Sequence, residues 1–349
     1  MCGVLPGDLD SSTIRAARGL SGPARVIRGK LTHYRTMFLR IALPLVAIVS
    51  ATAPAASQTR TPICAIDMGS NTFRRIVGTF DQGRYEERTV EKKTLGVGDD
   101  VARHGRISDA KLAEIDAALA GFSAACKKDG AAPLVAVGTA AFRDAPNGAK
   151  AKDIAATHGI AMEIASEKRE SELAYLVGSL GQGGYAVIDN GSRSVELVAQ
   201  EAGAPRYSVF NLGYRVAFET FFAKAADPAA AVTAFRNRLA PEASKAAFMK
   251  GKKKLVGVEF ADMMEVLFTP GATEGRVLSL DELKVRLHQI TSSSPSQFAA
   301  LKQKPDIDRA LPRLVVAVVL TEAFGYQGLE LTARELGAGL IIEAGLRQR

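Results

Sequence analysis

Tryptophan is absent from the 349-residue chain, and aromatic residues make up only 6% of it. Surfaces that hold single-stranded nucleic acid stack its bases on aromatic rings set among Lys and Arg. No such stripe occurs here, and no nucleic-acid partner is expected. Histidine is nearly as scarce: His33, His104, His158 and His288 are scattered and form no HxxxH pair. Cysteine occurs three times, at Cys2, Cys64 and Cys126, without the close spacing of a zinc or dithiol motif. A zinc centre or a His-based triad therefore has little support. The apolar run at 41–49 is too short for a comfortable membrane span.

What is present is globular composition, 47% hydrophobic and 23% charged, at a length that suits roughly two domains. The net charge of +8 favours anionic partners through long-range attraction. The densest basic run, KKK at 252–254, reads as a solvated loop. From Met37 the chain reads MFLRIALPLVAIVSATAPAASQ, with Arg40, an apolar stretch and APA at 53–55. That is a signal-peptide pattern over 37–56, with a single anchoring helix as the alternative. Residues 1–36 are basic and irregular, an upstream extension if translation starts at Met37. Export places the mature chain in the periplasm or outside the cell, with no stable membrane span after cleavage. It also removes Cys2 and permits Cys64 to pair with Cys126. The apolar setting of each cysteine favours two buried free thiols instead.

Alternation and turn residues give strands at 62–66, 73–80 and 84–93, then a Gly-rich loop, LGVGDDVARHGR. Ser108 caps a helix that ends at Gly130. Strands at 133–139 and 160–166 and helices at 147–158 and 167–180 complete a first half. A second half has strands at 185–190, 194–200 and 206–211 and helices near 214–224 and 228–240. It continues with a strand at 255–260, helices near 279–292 and 308–324, and a closing strand at 328–332. The halves open alike, with AIDMGSNTFR and VIDNGSRSVE. Such a repeat predicts an α/β protein of two related lobes, 61–180 and 181–349, with a cleft between them.

An Asp-x-Gly-Ser tract directly after an apolar strand is a turn that can offer backbone N–H groups to an anion. An ordinary hairpin turn has the same composition. Two such turns facing each other would clamp phosphate. Asp67 and Asp189 beside phosphate would then require a cation, and Mg²⁺ accepts one or two carboxylates together with substrate oxygens.

In order along the chain, AIDMGSNTFR, VGTAAFRDA (137–145), MEIASEKRESELAY (162–175), VIDNGSRSVEL (187–197), NLGYRVAFETFF (211–222) and ELGAGLI (335–341) resemble the Ppx/GppA family of exopolyphosphatases and guanosine pentaphosphate phosphatases, in its short two-domain form. The resemblance implies the two-lobed actin–hexokinase–Hsp70 fold, whose domains are ribonuclease H-like. It implies a polyphosphate-type substrate and leaves room for a homodimer. Residue by residue, it makes Glu170 the base that activates water. Ser70, Asn71 and Arg143 become phosphate ligands, as do Gly191, Ser192 and Arg193 of the second turn. Asp189 and Glu196, with Asp67, become the Mg²⁺ ligands.

The departures are specific. The family's second turn is Asp-Ile-Gly-Gly-Gly-Ser-Thr-Glu, whereas Ser192 and Arg193 replace two of those glycines here. Ser166-Glu167 stands where the family has Ser-Gly, and Arg74 and Arg75 follow Phe73. The later Gly-Gly-Thr turn falls at 257–262, which reads GVEFAD, so that loop is expected to be missing. The leading reading is an exported exopolyphosphatase, with Arg74, Arg75 and Arg193 favouring a polyanionic chain. A degenerate member that binds polyphosphate or a partner without turnover is the alternative. A small-metabolite kinase on the same superfold is the third reading, disfavoured by export and by Glu170.

Overall fold

The computed structural model describes residues 60–348 apart from 270 and 272. The upstream extension and the signal-peptide segment lie outside the described residues. The first sheet is built on β1 (Ile63–Met68), a strand buried at every position because it lies at the centre of the sheet. The hairpin β2 (Thr72–Asp81) and β3 (Arg84–Thr94) pairs antiparallel beside it. The glycine-rich tract that follows is not a loop. Gly96 and Gly105, both at positive φ, bracket a helix, α1 (Val97–His104). Acidic Asp99 and Asp100 in its first turn and basic Arg103 and His104 in its last complement the helix dipole.

Next comes α2 (Asp109–Lys128), capped as expected by Ser108, whose Oγ accepts from the Lys111 N–H. It lays Leu112, Ile115, Leu119 and Phe122 against the sheet. The strands β4 (Leu134–Gly138) and β5 (Ala161–Ile164) run parallel to β1, with α3 (Ala140–Asp144) and α4 (Lys150–Thr157) between them. The lobe's last helix is α5 (Glu167–Ser179). Strand order is β3-β2-β1-β4-β5.

The second lobe repeats that plan. β6 (Tyr185–Asn190), β7 (Val195–Glu201) and β8 (Ala204–Phe210) form the antiparallel part. A short α6 (Tyr214–Ala217) runs into a π-helical turn, Phe218–Phe222, and α7 (Pro228–Lys245) follows. β9 (Lys254–Val258) pairs parallel to β6, then comes α8 (Ala261–Leu267). β10 (Val277–Ser279), α9 (Leu280–Thr291), α10 (Pro295–Leu301), α11 (Ile307–Phe324) and β11 (Gly328–Leu331) lead to a final helix, α12 (Leu336–Arg347). The order β10-β11-β9-β6-β7-β8 contains the first lobe's sequence of strands, extended by β10 at one edge. The protein is thus an α/β structure of two halves with the same strand order.

The sequence reading closes the chain with a strand at 328–332 and assigns no helix at α12, whose Gly337, Gly339 and Gly345 would ordinarily weaken one. They serve close packing instead: a Cβ on Gly345 would lie 2.4 Å from the Phe80 carbonyl oxygen. Leu336, Leu340, Ile341 and Ile342 join Ile63, Ala65, Ile76, Phe80 and Leu173 in one core. The last helix of the chain therefore covers the first lobe's sheet. Among the described residues, no helix is long and apolar enough to cross a membrane.

Cys64 and Cys126 form a disulfide with Cα atoms 5.9 Å apart, which corrects the expectation of free thiols. The pairing arises because α2 packs across β1, so both cysteines lie in the same buried layer. Closing a loop of 62 residues restricts the unfolded chain. Replacing both cysteines with Ala is expected to lower unfolding stability by roughly 2–5 kcal/mol. Urea denaturation would show this, and an unchanged midpoint would refute it.

Candidate active site

Strand register places the acids. Across β1 and β2, Asp67 faces Arg74. Across β6 and β7, Asp189 faces Glu196. Each pair flanks a turn whose carbonyls are tied down by a later segment. Asn71 O accepts from the Leu95 and Gly96 N–H groups, and Ser70 O from Gly98 N–H at 2.7 Å. In the second turn, Gly191 O, Ser192 O and Arg193 O accept from Tyr214, Arg215 and Gly213 N–H. Gly213 is required there, because a Cβ would meet Arg193 backbone atoms at 2.5 Å. Carbonyl oxygens that would repel an anion are thereby occupied elsewhere.

The two turns meet. Ser70, Asn71, Gly191, Ser192 and Arg193 line one cavity together with Asp67, Glu170, Asp189 and Glu196. Its volume is about 90 Å³, below the ~300 Å³ at which sites for drug-sized ligands begin. Every residue singled out in the sequence borders this cavity except Arg75 and Arg143. The latter side chain lies against the cavity's acid instead: Arg143 Nη1 donates to Glu170 Oε1 at 2.9 Å and to the Ala165 carbonyl. Glu170 sits in the first turn of α5, beyond the Ser166 cap. Arg193 leans toward the first lobe, 3.8 Å from Asp144.

Two expectations about the basic residues need correction. Adjacent positions on a strand point to opposite faces, so Arg74 and Arg75 cannot act together. Arg75 is buried on the far side, paired with Glu91 and with Asp129 at 2.5 Å. Arg74 does reach the cavity, but Glu335 and Glu259 already pair with it.

The third turn is likewise not missing. β9 ends in a turn at Glu259, whose φ of 64° lies in the left-handed region where glycine is normally favoured, and α8 follows. Sequence reasoning overlooked Glu259, Tyr214, Arg309 and Thr139 as lining residues. The signal for Glu259 was available, since it is an acid directly after an apolar strand, as Asp67 and Asp189 are.

Burial dominates the electrostatics. It pushes Asp67 up to about 8, against the opposing pull of Arg74. It raises Glu196 to about 8, helped by the charge of Glu170. Asp189 is raised well above the usual carboxylate range by burial and by Glu259. Glu170 reaches about 7, with Arg143 working to lower it. Four crowded carboxylates out of water favour protons or a cation. Asp189 Oδ1 is buried with no hydrogen-bond partner. Among the described residues, no three His, Cys, Asp or Glu side chains are arranged to hold a metal ion by themselves. An oxygen-only set completed by phosphate and water suits Mg²⁺, which needs only one or two carboxylates from the protein.

The chain is similar in fold to the crystal structure of the Aquifex aeolicus member of the Ppx/GppA protein family, with a TM-score of 0.72 and 20% identity over 83% of this chain and 99% of that one. It is also similar to an exopolyphosphatase from Cytophaga hutchinsonii, with a TM-score of 0.64 and 19% identity over 81% and 98% of the two chains. No curated protein matches the sequence. The sequence model of the Ppx/GppA phosphatase family matches residues 81–332, from the end of β2 to the end of β11. With that match covering most of the chain and the duplicated lobes closing on a shared pocket, this protein belongs to the Ppx/GppA phosphatase family.

Proposed function

We propose that this protein is an exported phosphohydrolase that releases terminal phosphate from inorganic polyphosphate. The observation that carries this reading is the convergence of both Asp-x-Gly-Ser turns and Glu170 on one small cavity. Its size admits a phosphate group and leaves the rest of the substrate outside the cavity. The Ser70–Asn71 and Ser192–Arg193 turns hold the terminal phosphoryl oxygens. Arg143, whose planar fork matches phosphate geometry, swings from Glu170 to a phosphate oxygen. Glu170, freed, takes a proton from a water, whose oxygen attacks the terminal phosphorus. The bridging P–O bond breaks, orthophosphate forms, and the shortened chain leaves with its oxygen charged. Asp189 and Glu196, with Asp67 nearby, would hold Mg²⁺, which neutralises charge on the phosphate oxygens. The disulfide supports an oxidising compartment, consistent with export to the periplasm.

A second reading is binding of polyphosphate without turnover. Glu259 favours it, because a carboxylate stands where the family's third turn carries glycine and threonine. Phosphate release from polyphosphate with Mg²⁺, measured beside a binding titration, separates the two. Release is expected. Binding without release would establish the second reading, and neither would end both.

A further inference from the structure

Glu259 is the acid that the mechanism does not use. Its carboxylate spans the two lobes: Oε1 lies 3.4 Å from Arg74 Nη1 on β2, and Oε2 lies 3.2 Å from Arg313 Nη2 on α11. Arg313 is buried, and it also bonds the Asn190 carbonyl at 2.8 Å, beside the second turn, and pairs with Asp262. Its guanidinium stacks on Tyr214, 4.5 Å from the ring centre. Two guanidinium groups, Arg313 buried and Arg74 half-buried, face one point from opposite lobes and form an anion position, with Glu335 holding the Nε of Arg74 on its other edge. Here that position is filled from within the chain. The backbone is held at positive φ to do so, a conformation that costs a non-glycine residue of order 1 kcal/mol or more.

We infer that Glu259 is a specificity-determining resident anion, which occupies the Arg74–Arg313 position and so confines the cavity to a single phosphoryl group. The inference rests on the proposed polyphosphate reading and deepens it. The terminal phosphate enters at the two turns, and a second phosphoryl group is refused the inner end because a carboxylate already holds both arginines there. The rest of the chain must leave through the mouth, past Arg193 and Arg309, which line the cavity and are more exposed than Arg74 and Glu259. Like charges brought together out of water repel by several kcal/mol, so the refusal is electrostatic as well as steric. Removing the carboxylate releases Arg74 Nη1 and Arg313 Nη2 for the second phosphate of a chain, while Glu335 stays on Arg74 Nε and Asp262 on Arg313 Nη1.

The test is calorimetric titration with orthophosphate and pyrophosphate, in Mg²⁺, on the full chain carrying Glu170→Gln so that nothing is turned over. Glu259→Gly relaxes the turn and removes the charge. Glu259→Gln keeps the size and hydrogen bonding, and it reads the same effect should the glycine variant fold poorly. Pyrophosphate affinity is expected to rise at least about tenfold in Glu259→Gly and by less in Glu259→Gln, while orthophosphate affinity changes little. Equal pyrophosphate affinity with and without the carboxylate would overturn the inference. So would absence of binding in every variant, because the nitrogens released from Glu259 are then no anion site. The polyphosphate reading is judged separately, by phosphate release from the unmodified protein, and can stand or fall apart from Glu259.

Discussion

Replacing Glu170 with Gln is expected to reduce phosphate release from polyphosphate by ~10²–10⁴-fold, the usual worth of a positioned general base. The glutamine retains an oxygen for Arg143 and fills the same space, so the fold and polyphosphate binding should survive. The loss should fall on kcat, with KM nearly unchanged, because the proton transfer occurs only on the way to the transition state. A second signature separates this role from a structural one. Burial lifts the Glu170 carboxyl to about 7, against the opposing effect of Arg143. A base must be ionised to act, so the rate of the unmodified protein should climb as pH rises through neutrality. That limb should vanish in the variant. Release by Glu170→Gln at the unmodified rate would remove this residue from the chemistry.

The second large effect concerns stability. Asp67 and Glu196 are raised to about 8 and Glu170 to about 7, all by burial first. A carboxyl whose folded value exceeds its unfolded one contributes stability that is fully present below the unfolded value. That stability is lost as pH rises through the folded value. These three therefore weaken the metal-free protein progressively between about pH 4 and pH 8. Acids held low act in the opposite direction and set the acid limit. Glu343, lowered by the hydrogen bond from Arg169, is one, and Glu322, lowered by Lys284, is another. Their contribution disappears below about pH 4.5. In EDTA the melting temperature should peak near pH 5 and fall toward pH 8, with each kcal/mol worth roughly 2–4 °C for a chain of this size. Millimolar Mg²⁺ should restore most of the loss at pH 8, since a cation binds only the ionised native site. A melting temperature in EDTA that rises from pH 5 to pH 8 would contradict the electrostatic picture.

The duplicated architecture was legible because its signal is repeated and local. AIDMGSNTFR and VIDNGSRSVE each end a buried strand in the same polar turn, and the register that follows fixes Asp67 opposite Arg74 and Asp189 opposite Glu196. Glu170 was legible through the resemblance and its place at a helix start. What stayed hidden depends on contacts distant in sequence. Arg75 looks like Arg74 until a strand assigns them opposite faces. Cys64 and Cys126 are 62 residues apart, and only the packing of α2 over β1 joins them. Gly96 and Gly105 mark both ends of a helix, yet in the sequence they read as a single loop. Glu259 was read as the loss of a glycine turn, because the sequence does not show that a glutamate there adopts the glycine conformation.

The placement of α12 has a consequence for how the molecule is made. Until residues 336–347 emerge, Ile63 and Ile76 lack the cover of Leu336, Leu340, Ile341 and Ile342. The first half therefore completes its core only after the second half has been made, although early segments of most chains fold first. Trimming the chain ahead of α12 would therefore strip the apolar cover from a lobe that is encoded far upstream.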